Sequence, residues 1–327
     1  MKKKTSKITK VVVSILVLSV MLMGCSASDN EKLTIGVVQL VQHPALDATV
    51  EGLEDFLREN NLLDQINIDV KNAQGDPGIA LSIAQQFVND DVDLIYAIAT
   101  PAAQAAFNAT VNKQIPIVFN AVTDPVAAGI AASLSSSNNH VTGVSDAAPL
   151  GLQLALIREI LPDAQKIGLL YNLGEINGQI QVEQVRELAP SFGFEAVILG
   201  VSAANEIDSA TSQLVNEVDA IYNITDNMIV NATSLIVDIA TRNNIPVFAA
   251  EDGQMQQGLL AVEGLSYFKL GQQAGPLVKA ILFDDVAPSD LPISTAVETQ
   301  LNISLEMSST LNIDIPQSVL DRFSGSE

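Results

Sequence analysis

Three aspartates, each closing an apolar run, are the residues of this chain best suited to hold a charged small molecule. Asp124 follows the run from Ile115 to Val122, Asp146 ends the run Val141 to Ser145, and Asp226 follows Val218 to Thr225. An ionised carboxylate only accepts hydrogen bonds, so each suits an ammonium group. Thr100 and Pro101 close a fourth run, Leu94 to Ala99, and open an alanine-rich segment. The free N–H groups and dipole of a helix beginning there favour an anion such as a carboxylate. Acceptors and donors at comparable positions are what a zwitterion needs. The same aspartates are also suited to cap the helices that follow them, Asp124 before Pro125 above all. Catalytic signatures are missing from the chain: there is no GxGxxG, Walker loop or GxSxG. Two histidines and one cysteine make no His/Cys metal cluster, and no spacing singles out an acid/base pair of carboxylates. The expectation is a binding protein that is not an enzyme and uses no cofactor or metal.

The elements that position these residues follow from the runs. Residues apolar at consecutive positions suit parallel strands covered on both faces, and a helical crossover between two of them is a βαβ unit. Ligands of open parallel sheets bind beyond the carboxyl ends of the strands, where the polar clusters stand. The pattern then repeats. Val92 to Pro101, VDLIYAIATP, is answered by VDAIYNITDN starting at Val218, and IPIVFNAVTD from Ile115 by IPVFAAED from Ile245. Thr34 to Gln39, TIGVVQ, is answered by KIGLLY from Lys166. Matches in one order at nearly one spacing predict two similar α/β lobes in tandem, facing each other across a cleft. Helical stripes are expected from Asp47 to Asn60, from the Asp76-Pro77 start to Asn89, and from Pro149 to Leu161. A strand over 292–297 is expected near the third crossing between lobes, and residues 311–323 close the chain. The expected boundaries put 33–145 with 266–292 in the first lobe, and 146–265 with 293–327 in the second.

Length and charge agree with this division. The chain has 327 residues, 48% hydrophobic and 17% charged, enough for two buried cores. Residues 1–24 join a basic start, MKKKTSKITK, to a short apolar run from Val11 to Met23, which is the pattern of a secretory signal and too short to span a bilayer. Removing them takes five lysines and no acid from a net charge of −22, leaving −27. Such a balance repels nucleic acid and anionic lipid, so no nucleic-acid partner is expected. Leu22-Met23-Gly24-Cys25 resembles the lipobox of bacterial lipoproteins, with Cys25 the lipidated residue and 25–32 a polar tether. That resemblance implies a protein anchored outside the cytoplasm on the bacterial cell membrane.

The pieces HPALD (43–47), TPAAQAA (100–106), AVTDPVAAG (121–129), VTGVSD (141–146), IGLLYN (167–172) with Glu175 and Asn177, ITDN (224–227) and FAAEDG (248–253) resemble, in order, the ABC-transporter substrate-binding lipoproteins related to the tryptophan- and tyrosine-binding ones. The resemblance covers nearly all of the chain beyond the signal. It implies a type I periplasmic-binding-protein fold: two Rossmann-like lobes with parallel sheets, joined by a three-strand hinge. It also implies a monomeric receptor that delivers its ligand to an ABC permease, the ligand being an aromatic or other apolar L-amino acid. Gln39, Glu175, Asn177, Asn227 and Glu251 then fall at loop positions facing the cleft, beside Thr100, Pro101, Asp124, Ser145, Asp146 and Asp226. His43, at a strand exit, either touches the ligand or caps a helix. With no Trp in the chain, the side-chain wall is expected from Tyr171 and from apolar residues such as Val122 and Leu40, while Phe119 and Tyr222 lie inside strands and belong to the core. Two other readings stay open: a sensing or adhesion lipoprotein on the same fold, and a receptor for another small metabolite such as a sugar.

Overall fold

The computed structural model describes residues 32–296 and 298–323; the expected signal and the lipidation residue Cys25 lie outside them. In chain order the first part runs β1 (Leu33–Gln39), α1 (Pro44–Glu59), β2 (Ile66–Asn72), α2 (Pro77–Asn89), β3 (Leu94–Ile98), α3 (Thr100–Thr110), β4 (Ile117–Asn120) and β5 (Val141–Ser145). The second part runs α4 (Leu150–Ile160), β6 (Lys166–Asn172), α5 (Ile176–Leu188), β7 (Glu195–Val201), α6 (Ile207–Leu214), β8 (Ala220–Asn223), α7 (Asn227–Asn231), α8 (Thr233–Arg242), β9 (Val247–Glu251) and β10 (Ala261–Leu265). The chain then crosses back through α9 (Tyr267–Phe283) and β11 (Ser294–Thr295), and finishes with β12 (Thr299–Ile303), α10 (Leu305–Leu311) and α11 (Gln317–Leu320).

Two six-stranded sheets result, ordered β11-β5-β4-β3-β1-β2 and β12-β10-β9-β8-β6-β7. Every pairing is parallel except that of β12 with β10. The central strands β3, β4, β5, β8 and β9 are buried at every residue, which is why their sequences are continuously apolar rather than alternating. Phe119 and Tyr222 are fully buried, as expected of residues within such strands. The antiparallel edge strand β12 was not anticipated. Its alternation of buried Leu301 and Ile303 with less buried neighbours extends over only five residues and marks a half-covered edge. The third crossing also differs from the expected boundary at 292/293: Ser294 and Thr295 pair with Val144 and Ser145, so the chain stays with the first sheet through β11.

The returning helix α9 is docked on α1 by glycine. A Cβ on Gly52 would meet the Phe268 carbonyl oxygen at 2.0 Å, and one on Gly271 would meet that of Thr49 at 2.2 Å. The two backbones approach closer than any side chain permits. In consequence the helix that leaves the second sheet becomes part of the first core, where Leu270, Ala274, Leu277 and Val278 are buried with Leu53 and Leu57. The second histidine, His140, is half covered: its ring stacks on Phe107 with centroids 5.6 Å apart, and Nε2 lies 2.7 Å from Thr110 Oγ1.

Candidate functional site

The strand ends of both sheets meet around a narrow cavity of about 10 Å³ lined by His43, Ala45, Leu46, Ala121, Asp146, Thr225, Asn227, Val230, Glu251 and Tyr267. His43, Ala45 and Leu46 come from the β1 exit and the start of α1, and Ala121 from the β4 exit. Thr225, Asn227 and Val230 come from the β8 exit and α7, and Glu251 ends β9. Asp146 and Tyr267 stand at the first and second crossings. The two halves touch beside this space: Thr123 Oγ1 lies 3.5 Å from Thr225 Oγ1, and the Gln181 amide donates to both hydroxyls. Ile176, from the second half, packs on the first core. Ala121 on the cavity wall has φ +56°, and Ala99 at the neighbouring strand exit has φ +81°. For residues with a Cβ these conformations cost of the order of 1–3 kcal/mol each, strain concentrated where two strands open into the cleft.

His43 caps α1, with Nδ1 accepting from the Leu46 N–H at 3.4 Å. Burial lowers its pKa to about 4, against smaller opposing effects of Asp47 and Asn227. The ring is therefore neutral, and the bond at Nδ1 places its proton on Nε2. That Nε2 is buried and has no partner in the protein. Across the cavity, Glu251 is 1% exposed; its Oε2 accepts from the Gly253 N–H at 2.7 Å and its Oε1 has no partner. Burial, then the charges of Asp252 and Asp146, push the Glu251 carboxyl up to about 8. Asp146 accepts from Thr123 Oγ1 at 3.0 Å and from the Tyr267 hydroxyl at 2.6 Å. Burial raises its pKa, and these two bonds oppose the shift. A donor from the first half, His43, and the acceptors Glu251 and Asp146 thus face one narrow space.

A second pair of carboxylates stands behind Asn227. Asp226 caps α7, accepting from the N–H groups of Met228 and Ile229 at Oδ1 and of Asn172 at Oδ2. Burial raises its pKa first, and the neighbouring Glu175 adds to the rise. Glu175 accepts from the side-chain amides of Asn172, Asn177 and Asn227 and from backbone N–H groups at the start of α7. Both oxygens of each acid are occupied, so this pair shapes the β8 exit and orients Asn227. Asn177 also donates to the Thr225 carbonyl at 2.9 Å.

The other expected residues are placed elsewhere. Asp124 is a turn cap, its Oδ1 accepting from the N–H groups of Val126 and Ala127, and it does not line the cavity. Gln39 binds Asp47 at 2.6 Å and faces an open groove on the first half. Pro101 lines a different open groove with Gly174. Thr100 is buried with its hydroxyl unpartnered, but outside the cavity lining. Ser145 donates to the Thr123 carbonyl and braces that turn. Val122 and Leu40 are core residues. Tyr171 packs in the second core, against the position a Cβ of Gly200 would take. The cavity-lining Tyr267, Thr225, Leu46, Ala45, Ala121 and Val230 were not singled out from sequence. The aligned repeats pointed to strand exits, which located Thr225 only by neighbourhood and gave no signal for a tyrosine that returns on a different helix. Among the described residues no group of three His, Cys, Asp or Glu side chains is arranged to hold a metal ion, and no helix is long and apolar enough to cross a membrane.

Comparison with known proteins bears on the family and the fold. The chain is 40% identical over 316 residues to a tyrosine-binding protein of Clostridioides difficile, covering 92% of this chain and 91% of that protein. Among solved structures, an ABC domain in complex with L-Trp from Streptococcus pneumonia superposes with a TM-score of 0.86 at 32% identity, over 90% of this chain and 99% of that one. The ligand-free, open structure of a substrate binding protein with adhesive properties from Clostridium difficile gives 0.68 at 39% identity, over the same shares. A myo-inositol-bound solute binding protein from Bacillus halodurans, 17% identical with a TM-score of 0.62, shares the type I periplasmic-binding fold. Residues 34–324 match the family described as ABC transporter substrate binding protein, and it is to this family of ligand-binding receptors that the chain belongs.

Proposed function

We propose that this protein is the extracytoplasmic, lipid-anchored receptor of an ABC importer, and that it carries an aromatic or large apolar L-amino acid in the cavity between its lobes. The observation that carries this reading is the pair of buried, unpartnered polar atoms, His43 Nε2 and Glu251 Oε1, which face one cavity from opposite lobes. Glu251 and Asp146 are the acceptors for an ammonium, His43 donates to a carboxylate, and Leu46, Ala45, Ala121 and Val230 form an apolar wall for the side chain. The higher TM-score against the L-Trp complex, 0.86, than against the ligand-free, open relative, 0.68, although the latter is more similar in sequence, supports a closed arrangement of the lobes. A ligand that binds the closed form stabilises it and presents that form to the permease.

The test is a thermal-shift and calorimetric panel of the free L-amino acids. An aromatic or large apolar one at 100 times its dissociation constant is expected to add ~2.7 kcal/mol of stability, and Glu251→Gln to abolish the gain. A panel with no shift overturns the assignment. Lipid anchoring is tested by Cys25→Ser, which is expected to release the protein from cells. The adhesive relative supports a second reading, surface adhesion on the same fold. Host-cell attachment that survives Glu251→Gln would favour it.

A further inference from the structure

We infer that the cavity recognises its ligand by a primary ammonium bridged between Asp146 and Glu251, and therefore also takes aromatic or apolar primary amines that carry no carboxylate. This rests on the cavity being the ligand site proposed above. The charge of the wall is one-sided. Two carboxylates line it, and no lysine or arginine does; among the described residues every lysine and arginine is at least partly exposed, none lying in the buried set. An amino-acid zwitterion brings no net charge to this pair, whereas an amine brings one positive charge.

The hydrogen-bonding capacity is one-sided as well. Glu251 Oε1 is buried with no partner. Each Asp146 oxygen holds a single donor, Thr123 or Tyr267, and retains acceptor capacity. The donors on the wall are few and all neutral. Asn227 Nδ2 donates to Glu175 at 2.6 Å, the Thr225 hydroxyl accepts from the Gln181 amide and lies 3.5 Å from the Thr123 hydroxyl, and the Nε2 of His43 has no partner. A carboxylate buried against neutral donors alone, beside two acids whose ionised forms repel it, is poorly compensated. An ammonium between two carboxylates forms charge-assisted bonds to both. The raised pKa values of Glu251 and Asp146 express the same deficit, which a bound cation corrects.

The experiment is calorimetric titration of the purified protein with two matched series: L-tyrosine, tyramine and 3-(4-hydroxyphenyl)propanoate, then L-tryptophan, tryptamine and indole-3-propanoate. In at least one series the amine is expected to bind within about tenfold of the amino acid, and the deaminated acid at least 100-fold more weakly. Glu251→Gln, which keeps the side-chain shape, is expected to lose amine binding by at least 100-fold while its Tm stays at or above that of the parent. An amine that fails where its amino acid binds overturns this inference and leaves the receptor reading standing. A deaminated acid that binds as tightly as the amine overturns it too. Failure of all six probes overturns it together with the aromatic assignment.

Discussion

Tyr267 donates its hydroxyl proton to Asp146 at 2.6 Å, and each of the two stands where the chain passes between the lobes. The bond ties the first crossing to the second and leaves the same carboxylate on the cavity wall. Tyr267→Phe removes the donor and leaves a buried acceptor, a change that costs ~1–3 kcal/mol. Urea denaturation of the ligand-free protein is expected to register a loss of that size, with the slope unchanged.

Glu251 makes the stability of the ligand-free protein depend on pH. Its folded pKa is about 8, above the ~4.3 of an unfolded glutamate, so the folded state holds the proton more tightly. The destabilisation is absent below pH ~4, grows as pH rises, and is complete above about 8. Asp146, Asp252 and Tyr267 face the same carboxyl and His43 lies across the cavity; Asp146 and Asp252 shift in the same direction as Glu251. The expected result is a Tm that falls between pH 5 and 8.5, with Glu251→Gln flattening the fall. An equally steep fall in that variant would remove Glu251 as its source.

Gly271→Ala tests the docking of α9 on α1. Helix propensity alone predicts a gain of ~1 kcal/mol for this exchange. The new Cβ would meet the Thr49 carbonyl oxygen at 2.2 Å, and overpacking of this kind costs ~1–3 kcal/mol. The net sign is therefore destabilising, as read in chemical denaturation.

Asp124→Ala separates capping from binding. The carboxylate holds the N–H groups of Val126 and Ala127, so a loss of ~1 kcal/mol is expected. Ligand affinity should stay within about threefold, a difference worth ~0.7 kcal/mol. Abolished binding would put Asp124 back at the ligand.

The architecture was legible because parallel strands covered on both faces advertise themselves. Tyr96 and Tyr222 occupy equivalent places in the two copies of one strand, and both are fully buried. Asp146 was conspicuous as an ionisable residue that ends a buried strand, whereas Glu251 was pointed to only by the family resemblance. What remained hidden was settled by distance along the chain. Tyr267 follows Asp146 by 121 residues, and only the crossing of β10 into α9 brings them together. Ala121 and Val230 carry no chemical signature at all; their place on the wall comes from strand order. Asp124, the third carboxylate at a strand exit, was indistinguishable in sequence from Asp146, because choosing between a turn cap and a cavity wall requires the direction of a side chain.

Two of the three passages between the lobes, at Asp146 and Tyr267, are themselves part of the cavity wall. A guest held there, as proposed above, would sit beside the fulcrum rather than between the tips. A fraction of an ångström added at that point would sweep the distant rims through several times that distance, as with an object wedged near a door hinge. On the proposed reading the girth of the cargo would become an angle, which a transporter touching both rims would measure without ever reaching the cargo.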